Sequence, residues 1–161
     1  MESSTHNFSA LTTDLYEVTM ACGYCKAGVA DHEAVFHVTF RENPFSGQFT
    51  VACGLATAID FLREFQFADT ELDYLGSQHG NDGKPLFDSA FLDYLRTLQL
   101  TCDVDAIPEG TLVFPDEPLI RVVGPIAQCQ LLETALLNIF NFQSLITTKA
   151  ARVCLAAQHA I

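Results

Sequence analysis

Apolar residues at Leu11, Leu15, Val18 and Cys22 recur at a helical interval, which predicts a helix from about Thr13 with its stop at Gly28. Asp14 and Glu17 fall where first-turn carboxylates favour the helix dipole. The period then drops to two. In EAVFHVTFRENPFSG, Phe36, Val38 and Phe40 alternate with His37, Thr39 and Arg41 ahead of an Asn-Pro and a Gly turn, which predicts a strand with one apolar face and His37 on the wetter side. Phe49 to Cys53 reads as its hairpin partner. From Leu55 the helical period returns, with Leu55, Ile59, Leu62 and Phe65 on one face.

A short helix is predicted over Thr70 to Leu75, a loop over GSQHGNDGKP, and another amphipathic helix marked by Phe87, Phe91, Leu95 and Leu98. TCDVDAIPEGTLVFPDEPLIRVVGP reads as three short β segments, cut by turns at Pro108-Glu109-Gly110 and Asp116-Glu117-Pro118 whose carboxylates read as solvated. Pro125 suits the first turn of a long helix. Its pattern persists to Ile161 without a stop signal, so the protein is expected to continue, and the apolar surface from Leu131 to Leu155 is expected to pack against the continuing chain. Charged and polar residues at Glu133, Asn138, Asn141, Gln143, Lys149 and Arg152 interrupt this stretch, which makes it a packed helix or helix pair and not a membrane span. Residues 1–10 are polar and expected to be loose.

Composition narrows the partners. The chain has 161 residues, 49% hydrophobic, enough for the core of one domain, or of one domain plus a fragment. Eight Lys and Arg against 20 Asp and Glu leave a net charge of -12, which repels nucleic acid and anionic membranes. No apolar leader follows a basic segment, so the cytoplasm is the expected compartment and Asn7-Phe8-Ser9 reads as a chance sequon. The six cysteines are scattered through predicted helices and strands and are expected to be reduced.

Three motifs reduce to plain chemistry. Cys22 and Cys25 have redox spacing, yet they fall near the end of the predicted helix, where the dipole does not favour a thiolate. The five histidines show no metal-ligand spacing. Gly80-Asn-Asp-Gly-Lys84-Pro85 mimics the tail of a phosphate loop, but Gln78 stands where the first Gly belongs and Pro85 where a Ser or Thr belongs, so it reads as a turn.

Four stretches, LTTDLYEVTMACGYCKAG, VFHVTFRENPFSGQFTVACGL, CDVDAIPEGTLVFPDEPLIRVVGP and QLLETALLNIFNFQSLITTKAAR, together resemble the N-terminal portion of the nicotinate phosphoribosyltransferase family, from about Leu11 to Ala157. The resemblance implies an α+β chain of the type II phosphoribosyltransferase kind. A flexible N-terminus (1–10) would lead into an α/β-hammerhead-like domain (11–140), followed by the start of an irregular α/β barrel (141–161) that is cut off. The implied enzyme joins nicotinate to phosphoribosyl pyrophosphate, giving nicotinate mononucleotide for NAD salvage, with ATP hydrolysis coupled through a phosphorylated histidine. It works as a homodimer with active sites at the subunit interface, and Mg2+ and ATP are implied without binding residues identified in this chain. His159 does not sit in the histidine motif and takes no such role. Tyr16, in Thr-Asp-Leu-Tyr, resembles the residue that reaches across the dimer to stack on the pyridine ring. Arg41, in Phe-Arg-Glu-Asn-Pro, resembles an arginine near the phosphates of the neighbouring site. The plain alternatives are a core-edge tyrosine and a surface salt bridge. Asp14 reads as a helix cap, Lys149 and Arg152 stay unassigned, and the rival to the enzyme is a non-catalytic truncated form acting as a dimerisation or interaction module.

Overall fold

The computed structural model describes residues 9–158; His6, the Asn7 sequon and His159 lie outside them. The elements run α1 (Leu15–Ala27), β1 (Glu33–Val38), a 3-10 turn (Pro44–Ser46), β2 (Thr50–Val51), α2 (Leu55–Glu64), α3 (Asp69–Gly76), α4 (Ser89–Thr97), β3 (Asp103–Ala106), β4 (Leu112–Val113), β5 (Ile120–Pro125) and α5 (Ile126–Gln158). Helices and antiparallel strands therefore share the chain, as α+β implies. Among the described residues no helix is long and apolar enough to cross a membrane.

The expected hairpin is not formed. β1 pairs antiparallel with β5, which also pairs with β3, giving the order β1-β5-β3, while β2 pairs with β4. The reason is facial matching: Phe36 meets Val122 and Val38 meets Ile120, while His37 sits opposite Arg121, which ion-pairs with Asp105 of β3 at 3.0 Å. One face of the sheet is thus apolar and the other charged, and α5 packs against β1 and β5.

α5 is one unbroken helix of 33 residues. It begins at Ile126, so Pro125 ends β5 instead of opening the helix. Its first half is the spine of the core: Leu131, Leu132, Leu136, Ile139 and Phe140 are all buried against the domain's own elements. The apolar surface expected to face outward therefore begins only at Phe142 and continues through Leu145, Ile146, Val153 and Leu155.

Burial stripes on the shorter helices are also rotated from expectation. On α1 the buried residues are Glu17, Val18, Ala21 and Cys22, and Leu15 is exposed. On α2 they are Ala58 and Phe61, with Ile59 exposed, because Phe61, Phe65 and Phe67 make edge-to-face ring contacts at 5.4 and 5.7 Å. Phe87, Phe91, Leu95 and Leu98 are buried around α4 as the spacing predicts.

A two-residue strand such as β2 leaves one edge of its backbone without a ladder partner. Here α5 supplies the partners: Val51 N donates to Thr148 Oγ1 at 2.9 Å, Cys53 N to Ser144 Oγ at 3.0 Å, and Ser144 Oγ to Cys53 O at 3.1 Å. The chain then turns into α2 at Gly54 with φ 118, so close to α5 that a Cβ would lie 3.2 Å from Ile139 O. The Glu109 carboxylate accepts from Gly54 N at 2.9 Å and Ala56 N at 3.2 Å, capping α2 from the turn before β4. Its location in a turn is as expected, but its carboxylate is not simply solvated. The same is true of Glu117, which accepts from Phe114 N at 3.0 Å.

Candidate functional site

Tyr16 is the second residue of α1 and remains half exposed (49%). Asp14 holds the N-cap position with extended backbone. Glu17 folds back on the helix start, its Oε2 accepting from Asp14 N at 3.3 Å and from Thr13 Oγ1. The Tyr16 hydroxyl lies 3.4 Å from both Glu17 Oε1 and Glu133 Oε1 and donates toward them. Desolvation of the phenol, then the Glu133 and Glu17 charges beside it, push its pKa up to about 12. Tyr16 is therefore a neutral phenol at physiological pH, with its hydroxyl turned to carboxylates and about half of the residue exposed.

Arg41 stands exposed where the loop after β1 begins. Lys26, Lys84, Arg96 and Arg121 form ion pairs with aspartates; among the described residues Arg41 forms none, so the salt-bridge alternative finds no partner there. The loop holding Arg41 is unusual in its backbone. Phe45 and Ser46 both take left-handed φ, 59 and 50, a conformation that L side chains adopt at a cost. Arg152 offsets that cost by donating to Phe45 O at 2.8 Å and Pro44 O at 3.4 Å, with its guanidinium carbon 5.7 Å from the centre of the Phe45 ring. Arg152 is thus an anchor for the loop that presents Arg41. Lys149 is exposed and forms no ion pair among the described residues.

The structure does not join the two site candidates to each other. Their anchors on α5, Glu133 and Arg152, are 19 residues apart, about 28 Å along the helix at 1.5 Å per residue. Each neighbourhood has its own cavity. One of about 230 Å³ lies behind the Arg41 loop, lined by Phe40, Glu42, Thr50, Asn141 and Leu145 among others; one of about 240 Å³ lies beside Glu133, lined by Phe36, His37 and Leu137. Both are below the roughly 300–1,000 Å³ of a complete ligand pocket.

Cys22 and Cys25 are free thiols, and burial pushes both up, away from the thiolate that redox chemistry needs. The segment 80–85 is a tight turn in which Gly80 N donates to Lys84 O at 2.9 Å. No group of three or more His, Cys, Asp or Glu side chains able to hold a metal occurs among the described residues. Glu133 and Thr134, which reach the α1 start from 117 residues away, had no local signal; only the Asp-x-x-Glu spacing of Asp14 and Glu17 marks the capping arrangement.

Comparison with known proteins places the chain. Residues 11–141 match a family described as the nicotinate phosphoribosyltransferase (NAPRTase) N-terminal domain. Nicotinate phosphoribosyltransferase 2 of Arabidopsis thaliana is 47% identical over 143 residues, 88% of this chain and 25% of that protein. The crystal structure of human nicotinic acid phosphoribosyltransferase superposes with a TM-score of 0.79 at 44% identity, covering 89% of this chain and 28% of that one. Nicotinate-nucleotide pyrophosphorylase from Pyrococcus furiosus shares the fold, with a TM-score of 0.55 at 21% identity over 81% of this chain and 24% of its own. The chain spans about a quarter of the length of the curated relatives it matches.

Proposed function

The chain belongs to the nicotinate phosphoribosyltransferase family, and on that premise we propose that it is the N-terminal domain of an enzyme that joins nicotinate to phosphoribosyl pyrophosphate, with Tyr16 and Arg41 facing the substrates. The product is nicotinate mononucleotide, made in the cytoplasm for NAD salvage, and ATP hydrolysis drives the step. The domain is of the hammerhead kind and leads into a barrel; two copies form a dimer in which each lends Tyr16 and Arg41 to its partner's site.

The half-exposed Tyr16 ring carries this reading. Nicotinate offers a flat, electron-poor ring, and face-on stacking on an aromatic side chain contributes about 1–3 kcal/mol by analogy with base–aromatic contacts. The single proton of this neutral phenol is directed to Glu17 and Glu133, away from the ring face, so Tyr16 serves to position the substrate. Arg41, exposed and without an ion pair among the described residues, suits a phosphate, each charge-assisted hydrogen bond contributing about 1.5–3 kcal/mol. The incomplete cavities support a site finished by surface from elsewhere in the assembly. Magnesium and ATP belong to the reading as partners of the whole enzyme. The described residues offer no cluster for a metal, so no step is assigned to them through it.

The test is conversion of labelled nicotinate and phosphoribosyl pyrophosphate by the intact enzyme that carries this domain, with and without ATP. The reading expects labelled mononucleotide, formed faster with ATP; no labelled nucleotide in either condition overturns it.

A further inference from the structure

The Glu17 side chain is fully buried (0% exposed), yet capping α1 occupies only one of its oxygens. Oε2 takes the Asp14 amide, the reach-back half of a capping box, and the Thr13 hydroxyl. Oε1 is turned the other way, accepting from Thr134 Oγ1 of α5 at 2.8 Å and facing the Tyr16 hydroxyl at 3.4 Å. Glu133 is divided in the same manner: Oε2 accepts from Gln130 Nε2 at 2.8 Å, one turn back on α5, and Oε1 faces the same phenol at 3.4 Å. Each glutamate thus has one oxygen tied to its own helix and one aimed at Tyr16. The phenol has a single proton and two carboxylate acceptors, one on α1 and one on α5, so the hydroxyl end of the ring, and with it the direction of the ring's long axis, is held by two helices that pack on each other.

We propose that Glu133 and Glu17, braced by Thr134, are positioning residues that hold the Tyr16 ring in the orientation from which it stacks on the substrate. The proposal rests on the reading of Tyr16 as a nicotinate contact. Glu17 alone would be a capping residue, but capping explains neither its second oxygen nor Glu133. A hydroxyl directed to acceptors also leaves the ring electron-rich, the right complement for an electron-poor heteroaromatic.

The test is a double-variant cycle on the intact enzyme. Tyr16→Phe and Glu133→Ala each raise the nicotinate KM about 3- to 10-fold, the range set by losing one ordinary hydrogen bond, as the 3.4 Å separations indicate, with kcat and the phosphoribosyl pyrophosphate KM held within about twofold. Glu133→Gln, which keeps an acceptor oxygen, recovers most of the loss. Tyr16→Phe combined with Glu133→Ala is no worse than the poorer single variant, because Glu133 acts only through the hydroxyl. Effects that multiply, or a Glu133→Ala enzyme with unchanged nicotinate KM, overturn the proposal. A second readout needs no activity: the difference absorbance titration of the intact enzyme against its Tyr16→Phe variant places the phenol near 12, and Glu133→Gln lowers its midpoint. A midpoint that does not move refutes the contact itself. A Tyr16→Ala enzyme with normal nicotinate KM instead refutes the substrate reading, even if the titration shows the contact intact.

Discussion

Replacing Thr148 by Val tests whether α5 completes the short β2 strand. Thr148 is fully buried; its hydroxyl accepts from Val51 N at 2.9 Å and donates to Ser144 O at 2.6 Å. Valine has nearly the same shape, so the surrounding packing is kept and the hydroxyl alone is lost. The Val51 amide belongs to a residue only 8% exposed and would be left without an acceptor. Stranding a buried donor costs about 1–3 kcal/mol. In a domain of this size each kcal/mol lowers the Tm by about 2–4 °C, so the variant melts about 2–12 °C below the parent chain. Urea unfolding followed by circular dichroism reads the loss as a lower midpoint at unchanged slope, and hydrogen exchange at the Val51 amide reads it locally as faster exchange. A stability within about 0.5 kcal/mol of the parent, the range of an ordinary surface change, together with a protected Val51 amide, would refute the claim.

Gly54→Ala forces a side chain into φ 118 and places its Cβ 3.2 Å from Ile139 O; strain and overpacking of about 1–3 kcal/mol each lower the urea midpoint well below that of Gly23→Ala, whose Cβ meets nothing within 4 Å. Glu109, held below its usual carboxyl range by the Gly54 and Ala56 amides, contributes stability that is present above the unfolded carboxyl value of about 4.3 and is lost as the pH falls through the lower folded value. Glu109→Ala therefore destabilises by about 0.5–2 kcal/mol at pH 7 and by progressively less below about pH 4, as pH-dependent unfolding would show; an equal loss at both ends would contradict the capping role.

What could be read from the chain divides by the range of the interaction. α4 was legible because Phe87, Phe91, Leu95 and Leu98 form a local repeat, and each of them is buried. The partner of β1 was not, since Phe36 and Val38 match both the nearby Thr50 segment and distant β5 in character, and only the folded register selects Val122 and Ile120. β2 is a strand whose edge is satisfied by hydroxyls of α5, Ser144 and Thr148, which no strand pattern encodes. The tilt of the α1 stripe follows from burying Glu17, an acid that is tolerated there because Thr13, Asp14 and Thr134 supply its hydrogen bonds. Tyr16 and Arg41 stood out through family resemblance, whereas Glu133 and the loop-anchoring Arg152 became visible only when distant elements met.

The central claim is that the Tyr16 ring bears on nicotinate. The most direct measurement is the nicotinate KM of the intact enzyme carrying Tyr16→Ala, determined at saturating phosphoribosyl pyrophosphate beside the unaltered enzyme. Loss of a stacking contact of about 1–3 kcal/mol predicts a KM raised at least about fivefold with kcat largely retained. An unchanged KM would contradict the account and return Tyr16 to the edge of its own domain.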